Sequence, residues 1–179
     1  KARLAGYPGT LPQADSIESA REGEEIVLRA RGMASHAASP EGGISAIHLL
    51  ADYIRALPGL DEGSRAAMEA VAEITRDTTG ANMGIAAEDP DTGKTTMVIG
   101  TAVTRDGRIH LQVDARLSIA ADPAENARIF CQRARALGFE PGEPATTPPV
   151  WLSKDDPKVE ALQNIFYDFT GDDSPPYTT

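Results

Sequence analysis

Two periods alternate along the chain. Over residues 25–31, Ile26, Leu28 and Ala30 alternate with Glu25, Val27, Arg29 and Arg31, which predicts a half-buried strand. From Ile44 the spacing lengthens. Ile44, Ile47, Leu50, Ala51, Ile54 and Leu57 share one helical face, with His48, Asp52 and Arg55 on the other, until Pro58-Gly59 stops the helix. A second helix over 63–77 carries Met68, Val71 and Ile74 on its apolar face. The period then returns to two. Strands are predicted over 83–87 and 95–104, around the turn Asp89-Pro90-Asp91-Thr92-Gly93. Asp106-Gly107 is a strong hairpin signal. Beyond it, Ile109, Leu111, Val113, Ala115, Leu117 and Ile119 alternate with His110, Gln112, Asp114, Arg116 and Ser118, the clearest strand in the sequence. Asp122-Pro123-Ala124-Glu125 then supplies a cap, a first-turn proline and a following carboxylate, opening a helix that Gly138 closes. A last short strand is expected over 139–147.

The order β-α-α-β-β-β-α-β predicts an α+β two-layer sandwich: an antiparallel sheet of four strands, or slightly more, with helices on one face, in ferredoxin-like topology. That topology hosts many functions and decides none. Residues 1–23 read as an irregular lead-in with a short helical turn near 16–20, and residues 24–150 as one domain. Thr146-Thr147-Pro148-Pro149 marks a boundary. After it, residues 151–179 hold a helix over 157–170, expected to bury Val159, Leu162, Phe166 and Phe169, and a frayed polar tail.

Composition narrows the function. The chain has 179 residues, a formal net charge of −10 and a pI near 4.7, which argues against a nucleic-acid partner because phosphates demand a basic face. No apolar run approaches the roughly 18–20 residues of a membrane span. Cys131, the single cysteine, leaves no internal disulfide and fits a reducing, cytoplasmic setting. Beside Ile129 and Phe130 it reads as a small core residue. The sequence begins at Lys1 without Met and is expected to be a piece of a longer protein.

The candidate chemistry is sparse. His36, His48 and His110 fall on a loop, a helix and a strand, with no His-x-Glu-x-x-His or Cys-x-x-Cys spacing, so no metal is expected in this chain. No Gly-x-Ser-x-Gly supports an acyl-enzyme. Gly42-Gly43 before a helix suits an anion, but no Gly-Lys-Ser/Thr follows. Asp89, Asp91, Asp155 and Asp156 read as turn and cap residues. His36 lies on a loop shaped by Gly32, Pro40, Gly42 and Gly43, where a solvated histidine and a functional one both fit. Arg116 sits towards the end of the best strand, on the polar face with Asp114, as a solvated ion pair or as a fork for a carboxylate.

The loop carries a further signal. Gly32, His36, Ala37, Pro40, Gly43, Ala46 and Ile47 follow the pattern Gly-x-x-x-His-Ala-x-x-Pro-x-x-Gly-x-x-Ala-Ile. This resembles the loop in the smaller domain of the two-zinc metallopeptidases, the family of aminoacylase, glutamate carboxypeptidase, succinyl-diaminopimelate desuccinylase and bacterial dipeptidases. Met83-Gly84-Ile85-Ala86 and Gly93-Lys94-Thr95-Thr96 look most like the peptidase V type, and 155–171 is similar to the segment where such enzymes re-enter the catalytic domain.

The resemblance implies a lid domain that is inactive alone, within a parent that holds two zinc ions elsewhere and cleaves dipeptides or short peptides. It implies that His36 stabilises the oxyanion formed from the substrate carbonyl. It implies that Arg116 holds the substrate's C-terminal carboxylate. The implied partners are the catalytic domain of the same chain, the peptide substrate and, as in dimeric members, a second copy. An asparagine-containing stretch that usually precedes the loop is not recognisable in residues 1–23. Two other classes stay open from the residues alone: an oligomerisation module without a chemical role, and a small-ligand domain of ferredoxin-like topology.

Overall fold

The computed structural model describes residues 16–149 and 151–176. It begins with an antiparallel hairpin, β1 (Ile17–Glu22) and β2 (Glu25–Ala30), closed at Gly23 in the left-handed region. β1 replaces the helical turn expected near 16–20. Residues 17–22 are half-buried at best, and the outer strand is held by its ladder to β2 rather than by an apolar face of its own. The rest of the expected lead-in, residues 1–15, lies outside the described residues.

After the histidine loop come α1 (Ala46–Arg55) and α2 (Glu62–Ile74). The Ser45 hydroxyl caps α1 by accepting the His48 N–H, and the Asp61 carboxylate caps α2 by accepting that of Ser64. Ile44, expected inside the first helix, instead forms an antiparallel bridge with Met33.

The strand expected over 83–87 is not formed. A single 3₁₀ turn, Ala81–Met83, lies between Gly80 and Gly84, both at positive φ. At Gly80 a side chain would also press into Ile85, its Cβ falling 2.6 Å from Cγ1. Met83 and Ile85 are both buried, so their spacing reflects a turn wrapped into the core rather than a strand with two faces. Pairing resumes only around the next turn, in the short strands β3 (Glu88–Asp89) and β4 (Gly93–Lys94).

The long ladder is β5 (Thr96–Arg105) against β6 (Arg108–Arg116), antiparallel and irregular between Ile99 and Thr101. Its turn is the expected Asp106-Gly107, with φ of 50° and 72°, as a mirror-image turn requires. Then follow α3 (Pro123–Ala136) and α4 (Pro157–Thr170). No strand forms over 139–147, where Pro141 and Pro144 remove two donors a ladder would need.

The fold is therefore mixed α and β with antiparallel pairing. Among the described residues, the strands make three two-stranded sheets, β1–β2, β3–β4 and β5–β6, not one four-stranded sheet. Two clusters form the core. One gathers Ile74, Met83, Ile85, Met97 and Ala134, and the other Ala51, Val71 and Ala72. Leu111 and Phe139 pack against both, joining α1, α2 and α3 over the inward side of the β5–β6 ladder. Met83 and Met97 are essentially fully buried, worth about 1.5–3 kcal/mol each in burial. Cys131 is a free, buried thiol, in line with a packing role.

The face of α4 expected to be buried is open. Leu162, Phe166 and Phe169 are exposed, Phe169 to 87%. Among the described residues, no helix is long and apolar enough to cross a membrane.

Candidate functional site

The histidine loop is closed at its base by the Met33–Ile44 bridge, each residue donating its N–H to the other's carbonyl at 2.9 Å. Two of its glycines are required by contact. A Cβ on Gly32 would stand 2.2 Å from the Ile44 carbonyl oxygen, and one on Gly43 2.3 Å from Ser35 Oγ. Within the loop, Ser39 N–H donates to the His36 carbonyl, and Gly43 N–H to that of the buried Pro40. His36 is thus held at the tip of a rigid turn, with its ring exposed.

Its tautomer follows from one bond. The Ala38 N–H donates to His36 Nδ1 at 3.2 Å. A nitrogen that accepts carries no proton, so the neutral ring holds its proton on Nε2. The loop therefore presents an N–H donor to whatever lies beyond it.

His48 has the opposite assignment. Thr75 Oγ1 gives its proton to the Val71 carbonyl at 2.7 Å and so accepts from His48 Nδ1 at 2.9 Å. This ring pins α1 to the end of α2, a structural task. It lines an open cleft of about 580 Å³ with Asp52, Arg55, Glu73 and Arg76, where Asp52 is paired with Arg55 and Glu73 with Arg76. His110 is exposed on β6, opposite Val103.

Arg116 is the last residue of the long ladder. Asp114, two residues earlier and so on the same face, is its ion-pair partner: Nη2 donates to Oδ2 at 3.1 Å, and Nε lies 3.1 Å from Oδ1. An exposed pair of this kind contributes only about 0–1 kcal/mol to stability. Its clearer effect is on orientation. Nη2 donates to Oδ2, Nε faces Oδ1 at ion-pair distance, and the Nη1 donors have no carboxylate beside them from this pair.

The His36 loop and Arg116 both meet the ladder at Thr96. Thr96 opens β5 directly opposite Arg116, so the two side chains leave the same face of the ladder. The Thr96 hydroxyl donates to the Ala37 carbonyl at 2.7 Å, one residue from His36.

The chain just past Arg116 is held as firmly. The Asp89 carboxylate accepts the hydroxyls of Ser118 and Thr92 and the N–H groups of Asp91 and Thr92. The Ser118 hydroxyl, followed by the Thr92 hydroxyl and N–H, drives the Asp89 carboxyl far below the usual carboxylate range. Ser118, read from the pattern as a residue on the polar face, is buried, and its N–H donates to Thr95 Oγ1. Thr95 and Thr96 were not legible as anchors, because a β-branched residue in an alternating run looks like any strand former.

No protein-family model matches the chain. It is similar to a Bacillus subtilis (strain 168) protein described as "Putative dipeptidase YtjP", 29% identical over 150 residues. The similarity covers 83% of this chain and 32% of that protein, so the chain spans about a third of its relative's length. It is thus related in sequence to a protein named as a dipeptidase.

Proposed function

We propose that residues 24–150 form the lid domain of a larger, dipeptidase-like hydrolase of the peptidase V type, in the cytoplasm. In this reading His36 donates its Nε2 proton in a hydrogen bond to the carbonyl oxygen of the bond being cleaved. The bond strengthens as that oxygen becomes an oxyanion, and this difference between ground and transition state is what lowers the barrier. The free end of the Arg116 fork holds the substrate's terminal carboxylate. A substrate touching both groups must carry a carboxylate close to its scissile carbonyl, which describes a short peptide.

The observation that carries the reading is that Thr96 links the His36 loop, through the Ala37 carbonyl, to the strand position paired with Arg116. The dipeptidase name of the relative supports the reaction class, and the match to only 32% of that protein supports a parent larger than this chain. Among the described residues, no three His, Cys, Asp or Glu side chains are grouped to hold a metal. These donors do not fit a two-zinc centre, and we assign both zinc ions to the remainder of the parent. We assign residues 151–179 to that remainder too, because the apolar face of α4 has no cover here.

That same bare face favours a second reading, an oligomerisation module in which α4 packs on another copy. The test separates the two. In the full-length protein with dipeptide substrates, His36→Ala should lower kcat by about 10²–10³-fold while changing KM less. An unchanged kcat would remove the chemical role and leave the oligomerisation reading. The 179-residue chain, given zinc and dipeptides, should show no turnover.

A further inference from the structure

Among the described residues, the hydrogen bonds of the histidine loop turn back on the loop itself, with one exception. The Met33–Ile44 bridge, Ser39 to His36, Gly43 to Pro40 and Ala38 to the His36 ring all lie within residues 33–44. Among the described residues, the hydrogen bond that ties this loop to the long ladder is Thr96 Oγ1 to the Ala37 carbonyl, bridging 59 positions of sequence. Thr96 is only 8% exposed. A hydroxyl so placed needs a partner, and its partner is the carbonyl next to His36. Its strand partner across the ladder is Arg116.

We propose that Thr96 is a positioning residue that fixes the height of His36 over the ladder, and with it the separation of the imidazole from the Arg116 guanidinium. The proposal rests on the reading of His36 and Arg116 given above and names the group that sets their spacing. Its neighbour Thr95, just before β5, accepts the Ser118 N–H and steadies the chain just beyond Arg116. The doublet thus references both halves of the site to the first two residues of one segment. Loss of the Thr96 hydroxyl releases the loop and leaves the ladder paired, because the hydroxyl takes no part in backbone pairing. An oxyanion donor works only within a narrow range of distance, and a shift of about 1 Å can cost up to about 100-fold in rate.

The test is a double-mutant cycle on the full-length protein with a dipeptide substrate. Thr96→Val removes the hydroxyl at nearly constant volume. It should lower kcat about tenfold or more, with a smaller change in KM. Thr96→Ser should restore most of the loss. In a His36→Ala background, Thr96→Val should cost little further, since the group it positions is gone. Independent, multiplicative losses would make Thr96 a general structural residue and overturn the proposal. So would a full kcat in Thr96→Val beside a reduced one in His36→Ala, with the reading of the site left standing. An unchanged kcat in His36→Ala sinks that reading and this proposal together. If Thr96→Val does not fold, Thr96→Cys, similar in size with a weak donor, takes its place. Failure of both to fold assigns Thr96 to stability and overturns the proposal.

Discussion

α3 and α4 have the same length, 14 residues, and open in the same way. Each follows an aspartate cap, Asp122 or Asp156, whose carboxylate accepts N–H groups of the first turn, and each has proline at its start. They differ in what surrounds them. α3 buries Cys131 and Ala134 and lays Ile129 and Phe130 against the main core. α4 is richer in large apolar residues and buries none of its positions, leaving Leu162, Ile165, Phe166 and Phe169 in the open. Caps and propensity are enough to write a helix. Burial needs a second surface of matching shape, and for α4 the described chain supplies none.

The largest expected effect breaks this contrast directly. Met83→Ala empties a fully buried site and should destabilise the chain by about 2–5 kcal/mol, whereas Phe169→Ala should stay within about 0.5 kcal/mol. Chemical denaturation of both variants reads the difference. A comparable loss from Phe169→Ala would mean that α4 is packed in the isolated chain after all.

Equal caps should give unequal results. Asp122→Ala should cost about 1 kcal/mol of global stability, because α3 unfolds with the core. Asp156→Ala removes the same kind of bond from a helix without core contacts. It should lower helical circular dichroism and leave the denaturation midpoint of the core in place. Equal shifts in that midpoint would show that the two helices are coupled.

The smallest effect is a dependence on pH. Asp89 ties the β3–β4 turn to the chain after β6, and its carboxyl is held below its ordinary value of 3.8. A carboxylate with a lowered pKa stabilises the fold above the unfolded value, and that contribution is lost as pH falls through the folded one. The packed half should therefore weaken as pH drops below about 4. Asp89→Asn should be less stable at neutral pH and should flatten this dependence, with no change in the helicity of α4. Parallel acid unfolding of Asp89→Asn and the parent chain would exclude the network as the cause.

The parts of the fold that were legible are those decided by near neighbours. The Asp106-Gly107 turn and the Asp122 and Asp156 caps act over a few residues and stand where the pattern predicts them, and the alternation expected over 109–119 holds as a strand as far as Arg116. The histidine loop was legible as well, since Gly32 and Gly43 mark where backbone and side chain approach too closely for a Cβ. What failed depends on distant partners. β1 exists because β2 offers it a ladder, and the expected strand at 83–87 gives way because Gly80 and Gly84 turn Met83 and Ile85 together into the core. The apolar periodicity of α4 shows a face and cannot say whether anything covers it.

The same division holds at the candidate site. Sequence by itself named His36 and Arg116, 80 positions apart. Only the tertiary structure decided which ring nitrogen of His36 accepts from its own loop, and that Thr96 joins the two neighbourhoods. A hydrogen bond across 59 positions leaves no period in the sequence, because each of its partners is locally an ordinary residue.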